Sequence, residues 1–324
     1  MRIHLSNNDY LRNIDSFLRN FDASNPSELA VTTNDKWISV HPAILTLVAA
    51  LGMGVSPNRI NFDEITARSG HYLESMHLFK ILHKESPFKI TSHEPAGRFI
   101  PLTQIKTQVE QSQFISDMIP LLHLKPSHVD AIKYTVGELV RNVLEHSESS
   151  NGAIVAAQYY QESNVIRLGI CDTGIGIRQS IGHVWPNHAK TNLSAIKWAL
   201  IPGVSGTTIR EGGTSENAGA GLFIVKSIAM LTRDYFMIYS GNAVYRLLKR
   251  RPDVKLIRLN ADPSKDRHSE TEKAPHLQGT LVAIDISLDK IHQFAQILED
   301  IRKAYSSAVR ERKKARYQQR PKFI

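Results

Sequence analysis

Glu138, Asn142 and His146 stand four residues apart, a spacing that stacks three polar side chains on one side of a helix. Asn142 offers a neutral oxygen to a hard cation such as Mg²⁺, which favours oxygen ligands and keeps several of its waters. Glu138 could hold or deprotonate a water aimed at a phosphate. Further on, Cys171-Asp172-Thr-Gly174-Ile-Gly176 closes an apolar run. An aspartate at a strand end can accept a hydrogen bond from an exocyclic amine, and glycines let the backbone come close to a flat ring. A third piece, Asn217-Ala-Gly219-Ala-Gly221-Leu222, leads directly into an apolar helix. Free N–H groups and a positive dipole end at such a start suit a polyphosphate. The fourth, Gly279-Thr280, opens a late apolar strand whose hydroxyl could complete a polar pocket. Singly, each also has a bland reading: a solvated helix face, a hairpin turn, a loop-to-helix junction.

These residues need elements to hold them. Val129, Ile132, Val136, Leu139 and Val143 recur at helical spacing and predict a long helix over 128–148, with Ser127 as its N-cap. Ala153 to Tyr160 and Asn164 to Ile170 read as two strands joined by a turn. Tyr235 to Leu248 reads as a hairpin around Ser240-Gly241-Asn242. Gln108 to Ile119 has a helical pattern on Val109, Ile115 and Met118/Ile119. The charged stretch Asp262 to His276 predicts a disordered insertion, and Ile291 to Val309 a terminal helix.

In this order and spacing the four pieces resemble the GHKL ATPase superfamily, which includes histidine kinases, the ATP-driven heat-shock chaperones, the ATP-hydrolysing part of DNA gyrase, MutL and the anti-sigma serine kinases. Glu138–Asn142–His146 looks like the family's N box, Asp172–Gly176 its first glycine box and Gly219–Leu222 its second. Gly279-Thr280 is similar to the strand that closes the family's pocket. The resemblance covers roughly 105–290 and implies ATP and Mg²⁺ as cofactors. By it, Asn142 would ligate Mg²⁺ with His146 in support, and Asp172 would bind the adenine amine. Gly174 and Gly176 would line the base, Gly219, Gly221 and Leu222 would meet the phosphates, and Thr280 would support the adenine contact. Residues 178–218 would be a mobile lid, with Pro202-Gly-Val-Ser-Gly and Glu211-Gly-Gly-Thr-Ser as flexible points. The implied fold is a Bergerat-type α/β sandwich, a mixed sheet with helices on one face.

Two activities stay open. One is a regulatory protein kinase similar to the anti-sigma serine kinases, with Glu138 as the catalytic base toward a partner's hydroxyl. The other is an ATP-gated switch or slow hydrolase controlling partner binding or dimerisation, with Glu138 orienting water; binding without turnover is its limiting case. An orthodox histidine kinase is disfavoured, because the 108–119 segment holds no histidine and His123 lacks an acidic neighbour.

Residues 1–100 alternate strand and helix patterns and predict a smaller α/β module ahead of the 101–290 domain. Leu29 to Val40 reads as a strand or hairpin turning at Thr32–Asp35. Ala43 to Met53 is an apolar helix opened by Pro42, followed by a strand at 58–62 and a helix at 72–82. The pattern resembles the STAS-like fold of anti-sigma-factor antagonists. Their phosphoacceptor serine motif has no counterpart here, where Ile38-Ser39-Val40-His41-Pro42 stands. The histidines of this part read as surface or helix-end residues.

At 324 residues and 42% hydrophobic content the chain can bury two cores. No apolar run reaches the roughly 18–20 residues that span a bilayer, and no signal-peptide segment opens the chain. The single cysteine, Cys171, excludes an intramolecular disulfide and a cysteine-built zinc site. These features predict a cytoplasmic protein. Residues 302–324 hold nine Lys or Arg against one acid, so eight of the nine units of net positive charge fall there, within the terminal helix and tail expected over 291–324. Such a tail could touch nucleic acid, an acidic surface or an acidic partner, or serve only solubility.

Overall fold

The computed structural model describes residues 1–88, 99–117, 119–122, 124, 126–206, 219–250, 257–290 and 294–318. Three short strands, β1 (Arg2–Leu5), β2 (Leu29–Thr33) and β3 (Ile60–Phe62), pair in parallel in that order. Parallel neighbours need crossovers, and α1 (Ile14–Asn20) and α2 (Pro42–Gly52) lie on them. The 29–40 stretch is therefore no hairpin: β2 is the middle strand and the chain leaves it at Asn34. The 72–82 helix is broken into α3 (His71–Ser75) and α4 (Leu78–Ile81), because His77 between them is left-handed, with φ 60°.

Beyond this layer run β4 (Phe99–Ile105), α5 (Gln108–Asp117) and α6 (Pro126–His146). Then come β5 (Ala153–Tyr160), β6 (Val165–Asp172), α7 (Gly176–Val184) and α8 (Asn192–Ala199). After α9 (Gly221–Thr232) come β7 (Phe236–Gly241), β8 (Ala243–Leu247), β9 (His268–Thr271), β10 (Leu277–Ser287) and α10 (Phe294–Gln318). β4 to β10 form one seven-stranded sheet in the order β4-β5-β6-β10-β7-β8-β9. Every pairing in it is antiparallel, so the expected mixed sheet is corrected to an antiparallel one. Tight turns such as Gly241-Asn242 between β7 and β8 join neighbours that can only run in opposite directions.

Both faces of the sheet are covered, which is why its strands are apolar almost without alternation. On β5, Ala153, Val155 and Ala157 face a core shared with α6, α9 and α10, while Ile154 and Ala156 face α2. α2 is buried at every residue. It lies so close to β6 that a Cβ on Gly169 would come within 2.2 Å of the Ala43 Cα. The core beneath β1–β3 is continuous with that face of the sheet through Met237, Tyr239, Leu281 and Ala283. Helices of the first hundred residues thus cover one face of the sheet, and α6, α9 and α10 cover the other.

Polar groups lock the layer to the sheet. His41 is a helix-end residue but is fully buried: its Nδ1 accepts the Ala43 N–H (3.0 Å), so its Nε2 donates to Asp285 (2.9 Å). Arg167 stands 3.8 Å from the same carboxylate, sandwiched between the Tyr10 and Tyr160 rings. Burial, and secondarily the Arg167 charge, lower the His41 pKa against the opposing pull of Asp285.

Three further expectations are revised. Val109, expected on a buried stripe of α5, is 79% exposed, and Phe114 takes the buried position instead. α6 begins at Pro126, so Ser127 lies in its first turn and is not the N-cap. The 262–276 stretch is ordered: it contains β9, and its Asp266 is buried against Lys226 of α9, whose charge lets an acidic residue be buried here. The terminal helix runs on to Gln318. Among the described residues, no helix is long and apolar enough to cross a membrane.

Candidate functional site

α6 turns Ile132, Val136, Leu139, Val140 and Val143 into the core, which leaves Glu138, Asn142 and His146 along the edge of its buried face. The first glycine loop fits under the end of this helix. Ile175 N–H donates to the Ser147 carbonyl at 2.7 Å. A Cβ on Gly174 would come within 1.9 Å of that carbonyl oxygen, so only glycine lets the two backbones meet. Across from α6, the start of α9 approaches just as closely. A Cβ on Gly221 would lie 2.7 Å from Glu138 Oε2 and 3.2 Å from Asn142 Nδ2.

Between these elements lies a cleft of about 890 Å³, counted with its open mouth. Asn142, His146, Asp172, Gly176, Gly219, Gly221, Leu222 and Thr280 all line it. Ile170, Ile177, Ile181, Val204 and Val282 give it apolar walls. Mostly apolar walls with a few convergent polar groups are the usual make-up of a small-molecule site. Two predicted residues stand outside the lining. Gly174 serves the packing just described. Glu138 is engaged by the Arg141 guanidinium and the Tyr134 hydroxyl.

Asp172 closes the deep end, 3% exposed, at the end of β6 and opposite Thr280 of β10. Its carboxylate accepts the Gly174 N–H (2.8 Å) and the Thr280 backbone N–H. Burial nevertheless pushes its pKa up to about 7. The floor beside it is tied by Ser240, whose hydroxyl donates to the Gly279 carbonyl (2.7 Å) and accepts from Ile177 N–H (3.0 Å) and the Thr280 hydroxyl (3.2 Å). Local sequence places Ser240 only in a turn; its position beside the glycine loop depends on the pairing of β7 with β10.

At the other end Arg141 lines the mouth and pairs with Glu138 and, at 3.9 Å, with Glu145. Its spacing, three residues after Glu138 and four before Glu145 on one helix, was a legible signal. Burial raises the Glu138 pKa against the pull of Arg141 and Tyr134. Burial likewise lowers the His146 pKa, opposed by Glu145. Asn142 Nδ2 is buried, faces the cleft and has no hydrogen-bond partner among the described residues. Buried polar groups are almost always satisfied, so an orphan in a cleft wall points to something that enters it.

The expected lid divides in two. Residues 178–206 hold α7 and α8, packed on a small core of Ile181, Ala189, Ala195 and Val204, and Trp185 Nε1 donates to the Ser205 carbonyl. Pro202 to Ser205, expected to be flexible, are buried, and Gly203 N–H bonds the Gly219 carbonyl. The Glu211-Gly-Gly-Thr-Ser stretch lies outside the described residues. No protein-family model matches the chain, and no curated protein matches it.

Proposed function

We propose that the cleft binds ATP with Mg²⁺, as the resemblance to GHKL ATPases implies. The observation that carries this reading is the convergence on one cleft of a buried carboxylate, an unpartnered carboxamide and a helix N-terminus. Asp172, at the apolar end, is placed to accept the exocyclic amine of a purine, with Thr280 and Ser240 fixing the floor. Gly219 and Gly221 bring the start of α9 to the opposite side, where N–H groups and Arg141 favour phosphates. Among the described residues no three His, Cys, Asp or Glu side chains gather as a metal nest. A Mg²⁺ held chiefly by phosphate oxygens and water needs none: the side-chain oxygen of Asn142 would be its single protein ligand, and the unpartnered Nδ2 would donate to a phosphate oxygen. The ion would supply charge neutralisation at the phosphates.

For activity we propose a regulatory protein kinase or an ATP-gated switch, both built on Glu138. A raised pKa and contact with the start of α9 suit Glu138 to take a proton near the phosphates. Its engagement by Arg141 and Tyr134 favours the switch, in which the base is released only when a partner or nucleotide draws Arg141 away. Calorimetry with ATP and ADP, with and without Mg²⁺, tests the site. Adenine-dependent binding that weakens in Asp172→Asn supports it, and no binding by folded wild type overturns it. The fate of a γ-phosphate label then separates transfer to protein from release as phosphate.

A further inference from the structure

Part of the surplus charge of the chain has a definite place in the fold. The inner face of α10 is fixed: Ile301 and Val309 are buried, Tyr305 packs on Phe223, and Arg312 donates to the Pro202 carbonyl of the cleft wall. With that face inside, a period of 3.6 residues places Arg302, Lys303, Arg310, Lys313 and Lys314 within about a third of the helix circumference. All five are exposed. They run roughly 18 Å at 1.5 Å per residue, on a straight element that cannot fold the charges away. Lys303 stands 3.7 Å from Glu299, an exposed pair worth little. Arg302, Arg310, Lys313 and Lys314 make no ion pair among the described residues.

We propose that this outward stripe of α10 binds the phosphodiester backbone of nucleic acid, gripping charge without reading bases. A duplex carries one charge per roughly 1.7 Å of axis, so about ten phosphates pass along the length of the stripe. A linear lattice of anions is the partner that a linear row of cations complements. An amphipathic helix binds a membrane by burying its apolar face in the lipid, and here that face is already spent on α6 and α9. The inference is independent of the nucleotide reading, since none of the five residues lines the cleft.

The test is fluorescence anisotropy of the full chain with a labelled duplex of arbitrary sequence and roughly 20 base pairs, titrated with salt upward from about 50 mM. Vesicles of phosphatidylserine and a polyglutamate competitor run alongside. Binding should weaken with salt at a log–log slope of about −4, the value for four to five neutralised phosphates. Arg310→Gln with Lys314→Gln should reduce the slope by about 2 and the affinity at least tenfold, with an unchanged melting temperature. Absence of duplex binding at low salt overturns the proposal. So does binding that the double variant leaves unchanged, or binding to vesicles or polyglutamate in preference to duplex.

Discussion

The two faces of the seven-stranded sheet bury polar groups to opposite ends. On the α2 face, His41 and Asp285 are hydrogen-bonded to each other, and the Arg167 charge lies 3.8 Å from the same carboxylate and between the Tyr10 and Tyr160 rings, although its Nε makes no hydrogen bond among the described residues. On the α6 face, Asp172 holds a carboxylate that burial disfavours, and Asn142 holds an amide with no partner among the described residues. A charge-paired set of this kind fastens layers together, while an unpaired polar group in a cleft wall stores a cost that a ligand can relieve. The difference separates structure from site more sharply than polarity does, because both faces carry buried charge.

The largest expected effect breaks the fastening. Asp285→Ala leaves the His41 Nε2–H without its acceptor and Arg167 without its carboxylate. Removing one member of a buried charged set costs about 3 kcal/mol or more. Urea unfolding should show that loss, and the surviving folded fraction should still bind ATP. A variant that is stable but cannot bind would mean the two faces are one site.

Asp172→Asn should do the reverse. Losing a charge-assisted acceptor costs roughly 1.5–3 kcal/mol, so ATP affinity should fall at least tenfold in calorimetry. Stability at pH 8 should hold or rise, because the buried ionised carboxylate is gone. Loss of both fold and binding would make Asp172 a packing residue.

The pH dependence carries opposite signs at Asp172 and at His41. Asp172 has a folded pKa of about 7 against 3.8 for the free group, so between those values the folded state holds the extra proton. Its contribution to stability therefore falls as pH rises from about 4 to 7 and is flat above. ATP binding through the carboxylate should strengthen over the upper part of that window, by up to about tenfold between pH 6 and 8. The His41 pKa is lowered from 6.5, so the unfolded state takes up its proton first and stability is lost as pH falls below about 6.5. Chemical denaturation from pH 5 to 8 should show the rising-pH loss vanish in Asp172→Asn while the acid-side loss remains.

Much of this was legible. The buried stripe of α6 and the glycine runs are local patterns, and local patterns fix which residues share a helix face and where the backbone can bend. The strands of the sheet were legible for the same reason, but their partners were not. Antiparallel closure and the position of α2 on the far face depend on which strand ends meet, a matter of tertiary packing. The 262–276 stretch misleads because composition counts Asp266 as a surface charge, and only the fold brings Lys226 to it. Glu138 misleads for the opposite reason: its partners Tyr134 and Arg141, four residues before and three after it, share its helix and were readable from spacing alone.

The smallest expected effect on stability falls at Asn142. Asn142→Ala sits inside a long helix, where alanine gains roughly half a kcal/mol in propensity. The lost Nδ2 gives up no hydrogen bond among the described residues. The melting temperature should therefore stay level or rise slightly, and nucleotide should still bind through Asp172. What should vanish is the gain in ATP affinity on adding Mg²⁺, measured as the ratio of dissociation constants with and without the ion. A variant destabilised by more than about 1 kcal/mol, with that ratio intact, would place the amide in a packing network like that of His41. The cleft face would then differ from the α2 face only in Asp172, and a cation would have no reason to bind there.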